Sequence, residues 1–178
     1  GVNIRAIAQG ASSRAISCVI DSADTEVAVR TVHSAFNFAH QEVSLLVLGK
    51  GTVGGQLLSQ IAQQQTKLVD EHWIKLNVVA IADSKRVVFD EKGISLSAYK
   101  ERLDVTPPDT APPEILPLLE KLKRLPVPIL VDCTAASGME ALYQEAFQRG
   151  IHVVAANKKP LTIAWAQREN LMRAAKVS

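Results

Sequence analysis

Residues 43–54, VSLLVLGKGTVG, decide the fold of this chain. The first six residues are apolar except for Ser44, which is typical of a strand buried on both faces of a parallel sheet. Gly49, Gly51 and Gly54 follow at once and match the G-x-G-x-x-G spacing of dinucleotide-binding turns. An apolar helical pattern over 53–68 comes directly after the motif. Strand, glycine turn and helix in this order predict a Rossmann-type unit that binds a dinucleotide.

The three glycines of this motif have separate predicted tasks. Gly49 permits the tight turn, Gly51 lets a pyrophosphate approach the backbone, and Gly54 lets the helix pack closely on the strand. The helix start offers free N–H groups and the positive end of its dipole to the phosphates. The predicted phosphate contacts are Gly49, Lys50, Gly51, Thr52, Val53 and Gly54. The alternative is a glycine-rich turn without a ligand, but the flanking strand and helix favour the dinucleotide site.

The chain after the motif alternates apolar strands with helices. Strands are predicted at 76–82, 128–132 and 151–155, and helices at 114–124, at 138–149 and from about 162. Between 84 and 113 the pattern weakens, and the prolines of 106–113 predict a loop. The alternation places this part of the chain in the α/β class, as a Rossmann-type parallel sheet with right-handed crossovers and helices on both faces.

The residues before the motif show a different pattern. Two short strands, 3–9 and 15–20, flank a turn at Gly10, and a helix is predicted over 24–36.

Composition argues against several classes of partner. The net charge of +2 is the small difference between 20 basic and 18 acidic side chains, so we expect no nucleic-acid partner. We also expect no membrane span, no signal peptide and no metal site, because neither the apolar runs nor the spacing of His and Cys fits one. Cys18 and Cys133 lie in apolar runs and are predicted to be buried, reduced thiols, with a single disulfide as the alternative. A cytoplasmic location fits these features, or a plastid if the source is a plant.

The end of strand 76–82 bears on the choice of cofactor. Asp83 stands where an acid would accept the ribose 2′-hydroxyl of NAD, 29 residues after Gly54. Lys85 and Arg86 follow at once and would bind the 2′-phosphate of NADP. An aspartate repels that phosphate unless it turns away. The two signals conflict, and the basic pair favours NADP, with a solvated loop edge as the alternative.

Two later segments follow strands of the predicted sheet. Residues 132–138, DCTAASG, supply small side chains that leave room for a ring against the backbone, although an ordinary helix start would look the same. Residues 156–160, ANKKP, place a cationic side chain at the same edge, although a lysine pair by itself is usually only solvated. Ligands in such sheets bind at the carboxyl ends of the strands.

Together, the motifs VLGKGTVGGQLL (47–58), ADSKR (82–86), VDCTAASG (131–138) and HVVAANKKPLT (152–162) resemble homoserine dehydrogenases in their nucleotide-binding half. NIRAIAQGASSRAISCVID (3–21) resembles the closing part of an ACT regulatory domain from aspartate kinase. An ACT-like segment followed by homoserine dehydrogenase-like motifs in one chain resembles the bifunctional aspartate kinase–homoserine dehydrogenases. The resemblance implies a partial ACT segment of ferredoxin-like α+β fold at 1–41, and at 42–178 an NAD(P)-binding Rossmann domain that is incomplete at its C-terminus.

The resemblance also implies residue roles. Thr134 and Ala135 would line the nicotinamide side, and Lys158 would be the active-site lysine near cofactor and substrate. Lys159, one residue on, is expected to point elsewhere. Gln9 matches the glutamine that plant enzymes of this type use to sense threonine. Asn3 and Ile4, on the same strand, are further candidate effector contacts. Ser13 stands where the family often has Glu, which leaves the identity of the effector open.

The leading hypothesis is NAD(P)-dependent interconversion of homoserine and aspartate semialdehyde, in threonine and methionine biosynthesis, by a homo-oligomer (dimer or tetramer). The resemblance implies a kinase domain before residue 1 and a substrate domain after Ser178. The chain alone is therefore expected to bind cofactor without turnover. One alternative is a regulatory and assembly module that senses an amino acid, favoured by Gln9 and the strand around it. Another is a different Rossmann reductase of aspartate-derived metabolites, which would share the glycine loop but lack the DCT and NKK motifs.

Overall fold

The computed structural model describes residues 2–9, 16–35, 40–107 and 114–177. The chain divides into two compact units, Gly1–Gln41 and Glu42–Ser178. The predicted turn at Gly10, with Ser13, and most of the predicted proline loop lie outside the described residues.

The first unit contains an antiparallel strand pair and a helix. Strand β1 (Ile4–Gln9) pairs with β2 (Ile16–Ile20), and Gln9 lies opposite Ile16 in the register. A short 3₁₀ helix (Ser22–Asp24) leads into α1 (Thr25–Ala35). These elements lie within about two residues of the predicted bounds.

The second unit is built on a five-stranded sheet with the strand order β5-β4-β3-β6-β7. Its strands are β3 (Gln41–Leu48), β4 (Ile74–Ala82), β5 (Val87–Phe89), β6 (Pro128–Asp132) and β7 (His152–Ala155). Its helices are α2 (Thr52–His72), α3 (Tyr99–Val105), α4 (Leu116–Leu122), α5 (Met139–Gln148) and α6 (Trp165–Val177). A second 3₁₀ helix spans Lys159–Leu161. The predicted α/β fold with a Rossmann-type sheet is confirmed.

Helices cover both faces of this sheet because successive side chains of a strand point to opposite faces. In the central strand β3, Leu46 and Leu48 pack in one hydrophobic core with α4, α5 and α6. Leu45 and Val47 pack in a second core with α2 and α3. The apolar run at 45–48 in β3 is therefore explained by burial on both sides.

Three sequence expectations are corrected by the structure. The sheet is parallel along β3, β6 and β7, but β5 runs antiparallel to β4 and forms an edge of the sheet. The weak region 84–113 contains that strand and α3, which were both missed. Cys18 is exposed rather than buried, because the side chains of β2 are largely exposed, whereas Cys133 is half-buried; both thiols are free, as predicted.

The carboxyl ends of the four longer strands lie together at one edge of the sheet. The N–H of Gly49, directly after β3, donates to the carbonyl of Ala82 at the end of β4 (2.8 Å), and the N–H of Cys133 donates to that of Leu48 (2.8 Å). The N–H of Ala156, after β7, donates to the carbonyl of Asp132 (2.9 Å). Beside β3, the strand order places β4 on one side and β6 on the other, which is the point where ligands bind in open α/β sheets.

The described residues contain no helix that is long and apolar enough to cross a membrane. No cluster of three or more His, Cys, Asp or Glu side chains in the described ranges is arranged to hold a metal ion.

Candidate nucleotide-binding site

A cleft of about 460 Å³ opens at this carboxyl edge. The segments that follow β3, β4 and β6 form its walls. The lining residues are Leu48, Gly49, Lys50, Gly51, Ala82, Asp83, Ser84, Ile115, Thr134, Ala136 and Met139. The structure therefore brings together Gly49, Lys50, Gly51, Asp83 and Thr134, which lie up to 85 residues apart in the sequence and were all predicted to contact a cofactor.

Gly49 and Gly54 are required by packing within the turn. Gly49 has φ +90°, a conformation that disfavours residues with a Cβ atom, and a Cβ there would lie 3.0 Å from the backbone of Cys133. A Cβ on Gly54 would lie 1.8 Å from the carbonyl oxygen of Gly49. Both glycines therefore allow the turn, α2 and the segment after β6 to approach each other closely.

Gly51 differs because nothing in the described part of the chain explains the absence of a side chain there. It is the N-cap of α2 with φ −65°, and a Cβ built on it meets no atom within 4 Å. Among the described residues no side chain caps the start of α2, so the N–H groups of Thr52, Val53 and Gly54, directly after Gly51, have no intrahelical acceptor. A cradle that a side chain would fill, beside a helix N-terminus, fits a phosphate group.

The Asp83 side chain accepts hydrogen bonds from the backbone of its own turn. Its Oδ1 accepts the backbone N–H groups of Lys85 and Arg86, both at 2.8 Å, and its Oδ2 lies 3.2 Å from the ammonium of Lys50. Burial raises the pKa of the Asp83 carboxyl, but these hydrogen bonds and the positive charge of Lys50 lower it by more, so the pKa lies below its ordinary value of 3.8. Asp83 is thus a carboxylate whose oxygens are already engaged and whose charge is offset by a neighbouring cation.

The two basic residues of this turn differ in exposure. Lys85 is exposed, while Arg86 is about a quarter exposed and its Nη1 lies 4.0 Å from Oδ1 of Asp104. The Nε of Arg86 is buried and donates to no partner within the described part of the chain. The guanidinium is therefore only partly satisfied by the protein, which leaves hydrogen-bonding capacity for a ligand.

Asp132, at the end of β6, is a fully buried carboxylate that joins three elements. Its Oδ1 accepts the N–H of Thr134 (2.7 Å), and its Oδ2 accepts the hydroxyl of Tyr143 on α5 (2.6 Å) and the side-chain amide of Asn157 (3.2 Å). Burial and the hydrogen bond to Asp132 raise the pKa of Tyr143 well above its usual range. Burial, and then the charge of Asp132, raise the pKa of the Cys133 thiol, so Cys133 is not an activated nucleophile.

The segment after β7 is tied to the loop after β6. Asn157 donates from Nδ2 to the carbonyl of Ala136 (2.9 Å), and its Oδ1 accepts the N–H of Lys159 (3.2 Å). The ammonium of Lys159 donates to the carbonyl of Ala135 (2.6 Å). Lys159 was expected to point away from this region, and the structure corrects that expectation.

Lys158, the predicted active-site lysine, is exposed and directly precedes the second 3₁₀ helix. Its carbonyl accepts the N–H of Leu161 (3.1 Å), and its ammonium makes no hydrogen bond or ion pair within the described ranges. Its two neighbours, Asn157 and Lys159, make the side-chain contacts to the loop after β6.

The predicted effector residues lie in the first unit. Ile4 and Gln9 are the two ends of β1, Asn3 directly precedes the strand, and all three are exposed.

Several lining and buried residues were missed by the sequence analysis. Asp132 and Asn157 lie inside motifs that were recognised, and the signal that was available is a polar residue at the end of an apolar strand or two residues after it. Ile115, Met139 and Tyr143 carried no such signal, because apolar and aromatic positions on a helix are expected in any core.

Family models match almost the whole chain. The model for the NAD-binding domain of homoserine dehydrogenase matches residues 49–178, and a model for the ACT domain matches residues 1–36.

The chain is similar to curated proteins that are much longer. A bifunctional aspartokinase/homoserine dehydrogenase of Haemophilus influenzae is 37% identical over 163 residues, which are 90% of this chain and 20% of that protein. The chloroplastic bifunctional aspartokinase/homoserine dehydrogenase 1 of Arabidopsis thaliana is 35% identical, over 89% of this chain and 17% of that protein. The chain therefore spans about a fifth of the length of these relatives.

Solved structures share the fold of the second unit. A hyperthermophilic archaeal homoserine dehydrogenase in complex with NADPH matches with a TM-score of 0.60 and 26% identity, over 76% of this chain and 41% of that one. The homoserine dehydrogenase of Thermoplasma acidophilum matches with a TM-score of 0.57 and 24% identity, over the same shares.

Proposed function

Because the chain belongs to the family of homoserine dehydrogenase NAD-binding domains, we propose that it is the nucleotide-binding half of an enzyme that interconverts homoserine and aspartate semialdehyde with a nicotinamide cofactor. Residues 42–178 would be this domain, and residues 1–41 the closing part of an ACT regulatory domain. The observation that carries the proposal is the open space at Gly51, because packing among residues 2–9, 16–35, 40–107 and 114–177 gives no reason for a glycine there.

Calorimetric titration of NADPH into the 178-residue chain tests the binding half of this proposal, and homoserine-dependent reduction of NADP by the full-length protein tests the reaction. Binding without homoserine turnover in the full-length protein would favour a different Rossmann reductase. Absence of binding in the folded chain would contradict the proposal itself.

In the proposed site, two sets of residues bind the two ends of the cofactor. Gly49 to Gly54 and the start of α2 hold the pyrophosphate through backbone N–H groups. Thr134 and Ala135 hold the nicotinamide end, where the bound cofactor supplies the hydride acceptor or donor. Lys158 orients the alcohol or carbonyl oxygen of the substrate and stabilises the negative charge that develops on it.

We further propose NADP rather than NAD as the preferred cofactor. The aspartate that would repel a 2′-phosphate instead accepts N–H groups of its own turn, and Lys50 offsets its charge. Arg86 and Lys85 supply cationic donors beside it, and the buried Nε of Arg86 lacks a partner in the described ranges. These features favour a phosphate over a hydroxyl at this position.

The double substitution Lys85→Gln and Arg86→Gln is expected to weaken NADP binding by about tenfold or more and NAD binding much less, since one charge-assisted hydrogen bond contributes about 1.5–3 kcal/mol. Fluorescence titration of both reduced cofactors measures the ratio. Lys67→Gln with Arg173→Gln is the charge-matched control, because both cations are exposed and form helix-surface ion pairs away from the cleft. Equal losses for the two cofactors would show that the basic pair is an ordinary solvated edge.

For the first unit we propose that Asn3, Ile4 and Gln9 contact an amino-acid effector, with threonine as the first candidate. Adding threonine to the full-length protein is expected to change its affinity for NADPH, and Gln9→Ala is expected to abolish that change while leaving the affinity without threonine intact. An unchanged affinity in the wild type, with threonine at millimolar level, would contradict the proposal.

We also propose a homo-oligomer, dimer or tetramer, because β1 and β2 expose apolar side chains such as Ile7, Ile16 and Val19. Light scattering of the full-length protein measures this state. For the compartment we propose the cytoplasm. If the source is a plant we propose the plastid instead, because the plant relatives carry the word chloroplastic in their names.

A further inference from the structure

We propose that Asp132, Tyr143 and Asn157 form a positioning cluster that holds the loop after β6 and the lysine segment after β7 in one fixed arrangement, so that it acts on the reaction step rather than on cofactor affinity. The inference rests on the proposed function, since these two segments carry the proposed nicotinamide contacts and Lys158. None of the three side chains lines the cleft, so the cluster acts through the residues that it holds.

The cluster is buried and fully hydrogen-bonded. Asp132, Tyr143 and Asn157 are 0%, 4% and 5% exposed. A buried carboxylate is costly unless several donors surround it. Here the N–H of Thr134, the hydroxyl of Tyr143 and the amide of Asn157 all converge on Asp132. These three bonds tie the loop after β6, α5 and the segment after β7 to one buried side chain.

Asn157 links the Asp132 carboxylate to the lysine segment after β7. Its Nδ2 donates both to Asp132 and to the carbonyl of Ala136, while its Oδ1 accepts the N–H of Lys159. The Lys159 ammonium adds a bond to the carbonyl of Ala135. Lys158 lies between Asn157 and Lys159, so its backbone is fixed on both sides relative to the loop that carries Thr134 and Ala135.

The chemistry of Asp132 explains why an amide cannot replace it. Three donors face its two oxygens, and the NH₂ group of an asparagine would oppose at least one of them. If that group stood at the Oδ2 position, the Tyr143 hydroxyl could rotate to accept, but Asn157 would have to turn its amide over. Asn157 would then lose its bonds to Ala136 and to Lys159, and the two segments would be uncoupled.

Asp132→Asn is therefore the decisive variant. Without any cofactor, hydrogen exchange of the Thr134 and Lys159 amides is expected to become about tenfold faster or more, a factor that corresponds to about 1.4 kcal/mol. In the full-length protein, kcat for homoserine oxidation is expected to fall by about tenfold, with NADPH affinity close to that of the wild type. Asp90→Asn is the matched control, because Asp90 makes the same kind of turn bond, to the N–H of Lys92, and an ion pair with Arg102, but lies outside the cleft.

Faster exchange at Thr134 alone, or a loss of NADPH affinity as large as the loss of kcat, would overturn the inference. If Asp132→Asn does not fold, Tyr143→Phe decides, because it removes one donor, keeps the aromatic ring in the core, and is expected to give the same pattern at smaller size. The exchange measurement needs no cofactor. A wild-type chain that fails to bind NADPH would thus refute the proposed function without deciding whether the two segments are coupled.

Discussion

Replacing Lys158 with alanine is expected to lower turnover of the full-length protein by about 10²-fold or more, the typical effect of removing one donor that stabilises a developing oxyanion. Lys158 lies in a segment anchored by Asn157 at the carboxyl edge of the sheet, next to the proposed nicotinamide loop. Its ammonium has no partner in the described ranges, so it is available to a substrate oxygen. NADPH affinity should change far less, since the phosphates are proposed to lie on the glycine loop. Steady-state kinetics with homoserine measures the first effect and fluorescence titration the second.

Lys159→Ala is the matched control for this prediction, with the same charge change one residue further along the chain. It removes one hydrogen bond, from the Lys159 ammonium to the carbonyl of Ala135, which is exposed and therefore weakened by solvent. The expected loss of turnover is therefore much smaller than for Lys158→Ala. Near-normal turnover of Lys158→Ala, or a larger loss in Lys159→Ala, would mean that the wrong lysine of the motif has been assigned.

Gly51→Val is expected to weaken NADPH binding by roughly ten- to hundredfold while the chain stays folded. The substituted side chain would occupy the space proposed for the pyrophosphate, and overpacking costs about 1–3 kcal/mol. The fold should tolerate the change, because φ at Gly51 is −65° and a Cβ meets no atom within 4 Å. Calorimetry on the 178-residue chain gives the affinity, and thermal unfolding shows that the variant is native.

Gly54→Ala provides the opposite outcome in the same motif. Its methyl group would lie 1.8 Å from the carbonyl oxygen of Gly49, which is backbone and cannot move away cheaply. This variant is expected to lose stability first, with any loss of binding following from that. A folded Gly51→Val variant with wild-type affinity would rule out the pyrophosphate at this position.

The elements predicted correctly from the sequence are those with strong local patterns. Strand β3 was predicted from its apolar residues, which reflect burial on both faces. The turn was predicted from its glycines, two of which the packing requires, and α2 from its helical repeat. Strand β5 has only three residues, too few for an alternating pattern, and both β5 and α3 fall in a region that resembled a loop. Their positions depend on packing against β4 and α2, which local sequence does not encode.

The candidate site was predicted in its parts but not in its connections. The recognised motifs marked every segment of the cleft wall after β3, β4 and β6, but the bond from Asn157 to Asp132 spans 25 residues and has no local signal. The same reason explains Lys159, whose ammonium reaches a carbonyl 24 residues earlier in the chain. The orientation of Asp83 also needed coordinates, because its sequence position is compatible both with accepting a ribose hydroxyl and with closing a turn.

The short antiparallel strand β5 has a thermodynamic consequence for the turn at 83–86. Ala82 pairs with Val87, and the N–H of Asp83 donates to the carbonyl of Arg86 (2.9 Å). The four residues between β4 and β5 therefore form a hydrogen-bonded turn whose two ends are fixed by strand pairing. Their conformational entropy is lost when the protein folds rather than when a ligand arrives. A ligand that contacts these residues meets a preorganised surface, and its selectivity there is set by the chemistry of four side chains. Exchanging residues 83–86 as a unit should therefore change which nucleotide is preferred while leaving the strands on either side in place.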